Sequence, residues 1–191
     1  MVTTDLNSVS PQTYVRYGDA TVGLPSFDGR GVLPPTADGS PYRSEQAEMR
    51  TRFVDDLGSP PWRERLMDGW ANLANVVWDA CPSSYWWIWG PFVSATQLPR
   101  FGDQETLTAL VFLPVSELIS LPEHRHGLLM HALQAAIPLY SVDAGWVYVF
   151  SLDDPESAET ATVVESKWRP RATYSPLDDD PVPVGYIEVR R

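Results

Sequence analysis

The chain has 191 residues, is 43% hydrophobic, and carries eight Trp and eight Tyr with a formal net charge of −11. That composition supports one folded domain with a sizeable core and excludes general disorder. The acidic balance, with a pI near 4.6, excludes a broad nucleic-acid or anionic-membrane surface, since both need positive potential. Single Cys81 leaves no internal disulfide. With no basic-then-apolar start and no run of about eighteen apolar residues, a cytoplasmic protein without a membrane span is expected.

Residues 1–26 are polar and turn-rich apart from a short alternating run at 13–17, and read as an N-terminal arm or an added edge strand. Residues 27–191 read as a single domain. The stretch 27–43 is rich in Pro and Gly, which predicts a loop. Ser44 is the expected N-cap of a helix through about Asp56, with Met49, Phe53 and Val54 inward. Ser59-Pro60-Pro61 opens a longer helix, because proline suits the first turn. Trp62, Leu66, Trp70, Leu73 and Val77 form one apolar stripe along it. Trp62, Trp70 and Trp78 read as core packing in preference to a ladder for stacking bases. Gly69 within that helix implies close packing on a strand.

Trp86 to Trp89 is a β-forming run ended by Gly90, and Thr106 to Leu113 is a second one closed by Pro114. A helix follows from about Glu123 to Ile137, with Leu128, Leu129, Ala132, Leu133, Ala136 and Ile137 as its apolar face and Pro138 as its end. Residues 142–150 alternate as a third strand. The acidic, proline-rich stretch 151–183 holds a short helix candidate at 162–168, and 184–189 closes the chain as a strand. The expected fold is α+β, a small mixed sheet with packed helices.

The chemistry concentrates between Trp86 and Pro114. A glycine just past a strand lets backbone approach a phosphate, and two carboxylates one residue apart on a neighbouring strand can share a divalent cation. This layout resembles the nucleotidyltransferase superfamily, whose motif is Gly, then Gly or Ser, a spacer of about ten residues, and Asp-x-Asp or Asp-x-Glu. Within it the chain is similar to a family of short bacterial nucleotidyltransferase-like proteins. The likeness rests on Phe27, Gly31, Leu33, Pro34, Pro35, Glu48, Arg52, Phe53, Val54, Gly90, Phe92, Val93, Trp168 and Gly185-Tyr186-Ile187. It implies a polymerase-β-like core and, by analogy with bacterial relatives, a toxin–antitoxin or phage-defence setting.

The signature departs from the pattern. Gly90 is followed by Pro91, which supplies neither a hydroxyl nor an N–H to a phosphate. Counting forward, Asp103 and Glu105 take the acid positions; counting back from Leu113-Pro114, those positions fall on Thr106 and Thr108. Family acids lie inside the strand, and Gly102 implies a strand that begins later, which favours the threonines. Asp143 stands where a third acid is expected. The leading reading is therefore a catalytically degenerate nucleotidyltransferase-like domain that binds a nucleotide, through Gly90, Pro91, Thr106 and Thr108, or binds a protein. Its rival is an active Mg²⁺-dependent transferase using Asp103, Glu105 and Asp143 as catalytic and metal-binding residues. A third reading, motivated by the tryptophans, is a purely structural protein–protein interaction module.

Other candidates are weaker. His124 and His126 point to different faces at helical spacing and, with His131, make a poor zinc set. Cys81 has no basic neighbour to activate it. Lys167, Arg169, Arg171 and Arg190-Arg191 read as solubilising charges, and Asp178 to Asp180 as a solvated turn.

Overall fold

A computed structural model describes residues 23–37, 39–95, 106–149 and 184–191. The described strands are β1 (Tyr42–Ser44), β2 (Tyr85–Trp89), β3 (Leu107–Pro114), β4 (Val142–Val149) and β5 (Ile187–Arg190). They form a mixed sheet in the order β1-β5-β2-β3-β4, with β1/β5 and β3/β4 parallel and β2 antiparallel to both neighbours. The helices are α1 (Gln46–Phe53), α2 (Pro61–Ala80), α3 (Val115–Leu118), α4 (Glu123–Gln134) and α5 (Ala136–Tyr140). The fold is α+β, as the sequence implies.

One face of the sheet packs on the helices. Trp86 and Ile88 of β2, Ala109, Val111 and Leu113 of β3, and Ile187 and Val189 of β5 join Leu66, Trp70, Leu73 and Val77 of α2 in one core. Trp70 meets Trp78 and Trp86 edge-on, at centroid distances of 6.0 and 6.2 Å. The α2 tryptophans at 70 and 78 are thus core residues, while Trp62 is half-buried. Each fully buried large side chain contributes about 1.5–3 kcal/mol, so this stripe accounts for a helix of twenty residues.

The opposite face is aromatic. Trp87, Trp89, Leu110, Phe112 and Tyr186 are buried together, with Tyr85, Val147 and Val149 against them. Tyr85 and Phe112, opposite each other on β2 and β3, stack at 4.5 Å. The near-continuous apolar run of β2 follows from burial on both faces.

Several residues of the family likeness are braces. Glu48 accepts the Leu24 N–H at 2.9 Å and the Ser44 hydroxyl at 3.0 Å. Arg52 donates to the Pro25 carbonyl at 2.7 Å and stacks on Phe27 at 4.8 Å. The Gly185 N–H donates to the Leu33 carbonyl at 2.7 Å, and Tyr42 Oη donates to that of Pro34 at 2.9 Å. The 24–35 segment is thereby tied to α1, β1 and the approach to β5.

Local expectations need correcting at four places. Ser44 ends β1, and Glu45 occupies the N-cap position of α1. The loop expected at 27–43 ends in β1, whose pairing with the distant β5 leaves no local signal. Gly69 faces a helix, not a strand: an added Cβ would lie 1.9 Å from the Tyr140 carbonyl oxygen at the end of α5. Pro138 does not end a helix; it sits in the first turn of α5, where its missing N–H would have no intrahelical acceptor. The break comes at Ala135, and Leu128 and Ile137, expected inward, are exposed. No described helix is long and apolar enough to cross a membrane.

Candidate functional site

Three strands bring their ends together beside Gly90. On the aromatic face, Trp89 of β2 is opposite Thr108 of β3, and Thr108 is opposite Asp143 of β4. Residues paired across strands point to the same side of the sheet, so the three side chains form one row. Gly90 follows directly with φ +83°, a left-handed conformation that disfavours any side chain. A Cβ built on it would come 3.9 Å from Thr108 Oγ1. Pro91–Val93 then forms a single 3₁₀ turn, in which the Val93 N–H donates to the Gly90 carbonyl at 3.1 Å and the Ser94 hydroxyl to that of Pro91 at 2.7 Å.

Of the residues singled out from sequence, Gly90, Pro91, Thr108 and Asp143 are therefore neighbours along this corner. Thr106 is half-buried and immediately precedes β3. Asp103 and Glu105 lie outside the described residues, as do Trp168, the basic residues 167–171 and the acidic run 178–180. Strand β3 opens at Leu107, so Thr108 is inside it and the two acids precede it. Asp143 is exposed, and its side chain has no hydrogen-bond or ion-pair partner among the described residues.

Among the described residues the corner offers one carboxylate and one hydroxyl, from Asp143 and Thr108. A hard cation such as Mg²⁺ is held by carboxylates and phosphate oxygens in near-octahedral geometry, and this pair does not supply a carboxylate clamp. Among the described residues no group of three or more His, Cys, Asp and Glu converges elsewhere. His124, His126 and His131 are exposed along α4. Cys81 is fully buried, and burial, with the charge of Glu117, pushes its thiol up to about 11.

Two residues with site-shaping contacts had no sequence signal. Arg63 is buried at the start of α2 and donates to carbonyls of the turn that follows Gly90. Its position beside Trp62, within a charged first turn, looks like an ordinary surface site. Glu188 is a buried carboxylate on the aromatic face, accepting from Trp87 Nε1 at 3.1 Å and Arg190 Nε at 2.8 Å, with Arg43 Nε at 3.5 Å. Alternation along 184–189 would have flagged an inward acid only if the second face were known to be buried. Among the described residues no Trp is exposed, and the exposed large apolar side chains are Ile119, Leu128, Ile137, Leu139 and Tyr148.

No curated protein and no solved structure is matched by the chain. A family model does match, over residues 25–190, and on that span the chain belongs to DUF6932, a family of unknown function.

Proposed function

We propose that this protein is a nucleotidyltransferase-like domain that has lost its metal carboxylates and acts by binding a nucleotide without transferring it. The observation that carries the reading is the row Trp89–Thr108–Asp143 beside the left-handed Gly90. It joins a glycine turn, the expected third acid and a threonine standing where a metal ligand is needed. The strand directions support it too: an antiparallel pair β2/β3 followed, through α4, by a parallel β4 suits the polymerase-β-like core that the resemblance implies.

Chemically, such a corner recognises a phosphate through backbone approach at Gly90 and the Thr108 hydroxyl. It does so weakly, because Pro91 donates no N–H and Asp143 repels an anion. Magnesium adds little when threonine has replaced its ligand.

The test is calorimetric titration with ATP, GTP, CTP and UTP, with and without magnesium, followed by product analysis. The expected outcome is a dissociation constant in the millimolar range, about −4 kcal/mol, independent of magnesium and without transfer. Transfer of a nucleotidyl group to RNA, protein or a small acceptor overturns the non-catalytic reading, and then Asp103 and Glu105 are the residues to replace. Failure of all four nucleotides to bind overturns nucleotide recognition.

A further inference from the structure

Arg63 is 1% exposed, in the first turn of α2. Nη1 donates to the carbonyl oxygens of Phe53 at 3.0 Å and Phe92 at 2.7 Å, and Nη2 donates to that of Ser94 at 2.7 Å. The guanidinium lies 4.4 Å from the Trp62 ring and 5.7 Å from that of Phe92. Burial pushes its pKa down to about 10, which leaves it charged at neutral pH. A buried cation is costly unless its donors are satisfied, and a planar fork meets several carbonyls at once in a way an ammonium does not. On its other side the same turn is held by the Ala95 N–H donating to the Gly31 carbonyl at 2.6 Å and by the Val32–Ser94 bridge.

We propose that Arg63 is the positioning residue of the Gly90 turn: its clamp on the Phe53, Phe92 and Ser94 carbonyls sets the conformation of residues 91–94, and so the shape of the corner beside Thr108. Two of the three carbonyls belong to the turn and the third to the end of α1. The clamp therefore fastens the turn to the helical layer, on the side opposite its contacts with Gly31 and Val32. The consequence for nucleotide affinity rests on the function proposed above; the consequence for the turn does not.

Hydrogen exchange on the full chain separates the two. In Arg63→Lys and Arg63→Met the Val93 and Ala95 amides should exchange at least about tenfold faster than in the native protein, while Leu110 in β3 keeps its protection. Protection retained in Arg63→Lys means that charge suffices, and protection retained in Arg63→Met means that packing between Trp62 and Phe92 suffices; either overturns the clamp. Should both variants fail to fold, exchange of the native protein in urea decides. Val93 is expected to open together with Val54, whose N–H donates to the Arg50 carbonyl at the end of α1. A separate, denaturant-insensitive opening at Val93 overturns the proposal. ATP titration of Arg63→Lys is the second readout, with affinity expected to fall about tenfold. A native protein that binds no ATP removes the nucleotide reading and leaves Arg63 to be judged by exchange.

Discussion

Two carboxylates share the aromatic face of the sheet, and they differ in almost every respect. Glu188, on β5, has a side chain 7% exposed, flanked by Arg43 and Arg190 and receiving the Trp87 indole N–H. Asp143, on β4, is exposed and faces Thr108 across the pair with β3. The first is enclosed and satisfied, so its role ends within the fold. The second has no side-chain partner among the described residues. A charge held ready at the end of a strand, beside a glycine turn, is the more informative of the two about function.

Stability measurements should split them cleanly. Glu188→Ala removes the acceptor of a buried indole N–H and leaves a void beside Trp87, so urea denaturation is expected to show a loss of about 2–3 kcal/mol. Glu188→Gln keeps an acceptor oxygen for Trp87 and gives up the Arg190 hydrogen bond and the ion pairs, all to arginines that are more than half exposed, 54% and 56%. It should cost under about 1 kcal/mol. Asp143→Ala should stay within about 0.5 kcal/mol of the native protein. An Asp143→Ala loss as large as that of Glu188→Ala would make Asp143 a structural residue and end the comparison.

Ligand measurements sharpen it from the other side. Pro91→Ser supplies an N–H and a hydroxyl next to Gly90, and each hydrogen bond to a charged phosphate is worth about 1.5–3 kcal/mol. ATP affinity should rise at least about tenfold in calorimetry. Thr106→Asp with Thr108→Asp sets new carboxylates beside Asp143, and binding of ATP should then require magnesium. Asp143→Asn in that background should abolish the requirement. Magnesium-independent binding in the double variant would show that Thr106 and Thr108 are not in the acid register.

The elements of this corner were legible in the sequence because each carries a local signal. The β-formers of 86–89, the glycine that ends them and the alternation from Val142 need only neighbours in the chain to be read. What brings the elements together has no such signal. Arg63 reaches carbonyls about thirty residues away, Glu188 meets an indole more than a hundred residues away, and β1 pairs with the end of the chain. The same limit explains Gly69, whose need for close contact was legible but whose contact, the Tyr140 carbonyl, was not. The two acid registers were open in the sequence because they turn on where a strand begins, and β3 begins at Leu107, with Thr108 inside it.

The smallest effect expected is a titration that reports on Glu188 and not on Asp143. Burial raises the Tyr85 phenol above its ordinary value near 10, Glu188 raises it further, and Arg190, stacked at 4.7 Å on the ring, lowers it. The sign follows from proton counting. Above pH 10 the unfolded chain gives up this proton while the folded protein keeps it, so stability falls as pH rises, by at most about 1.4 kcal/mol per unit from this group. Below pH 10 both states hold the proton and the contribution is flat. Tyr85→Phe should remove that part of the alkaline slope, as measured by urea unfolding at pH 9, 10 and 11. Glu188→Gln should shift the Tyr85 step in tyrosinate absorbance to lower pH without returning it to 10, because burial is the larger cause. Asp143→Asn should leave the step where it is. A shift of equal size in Asp143→Asn would mean that the two carboxylates act on one electrostatic environment, and that the division between an enclosed acid and an available one is wrong.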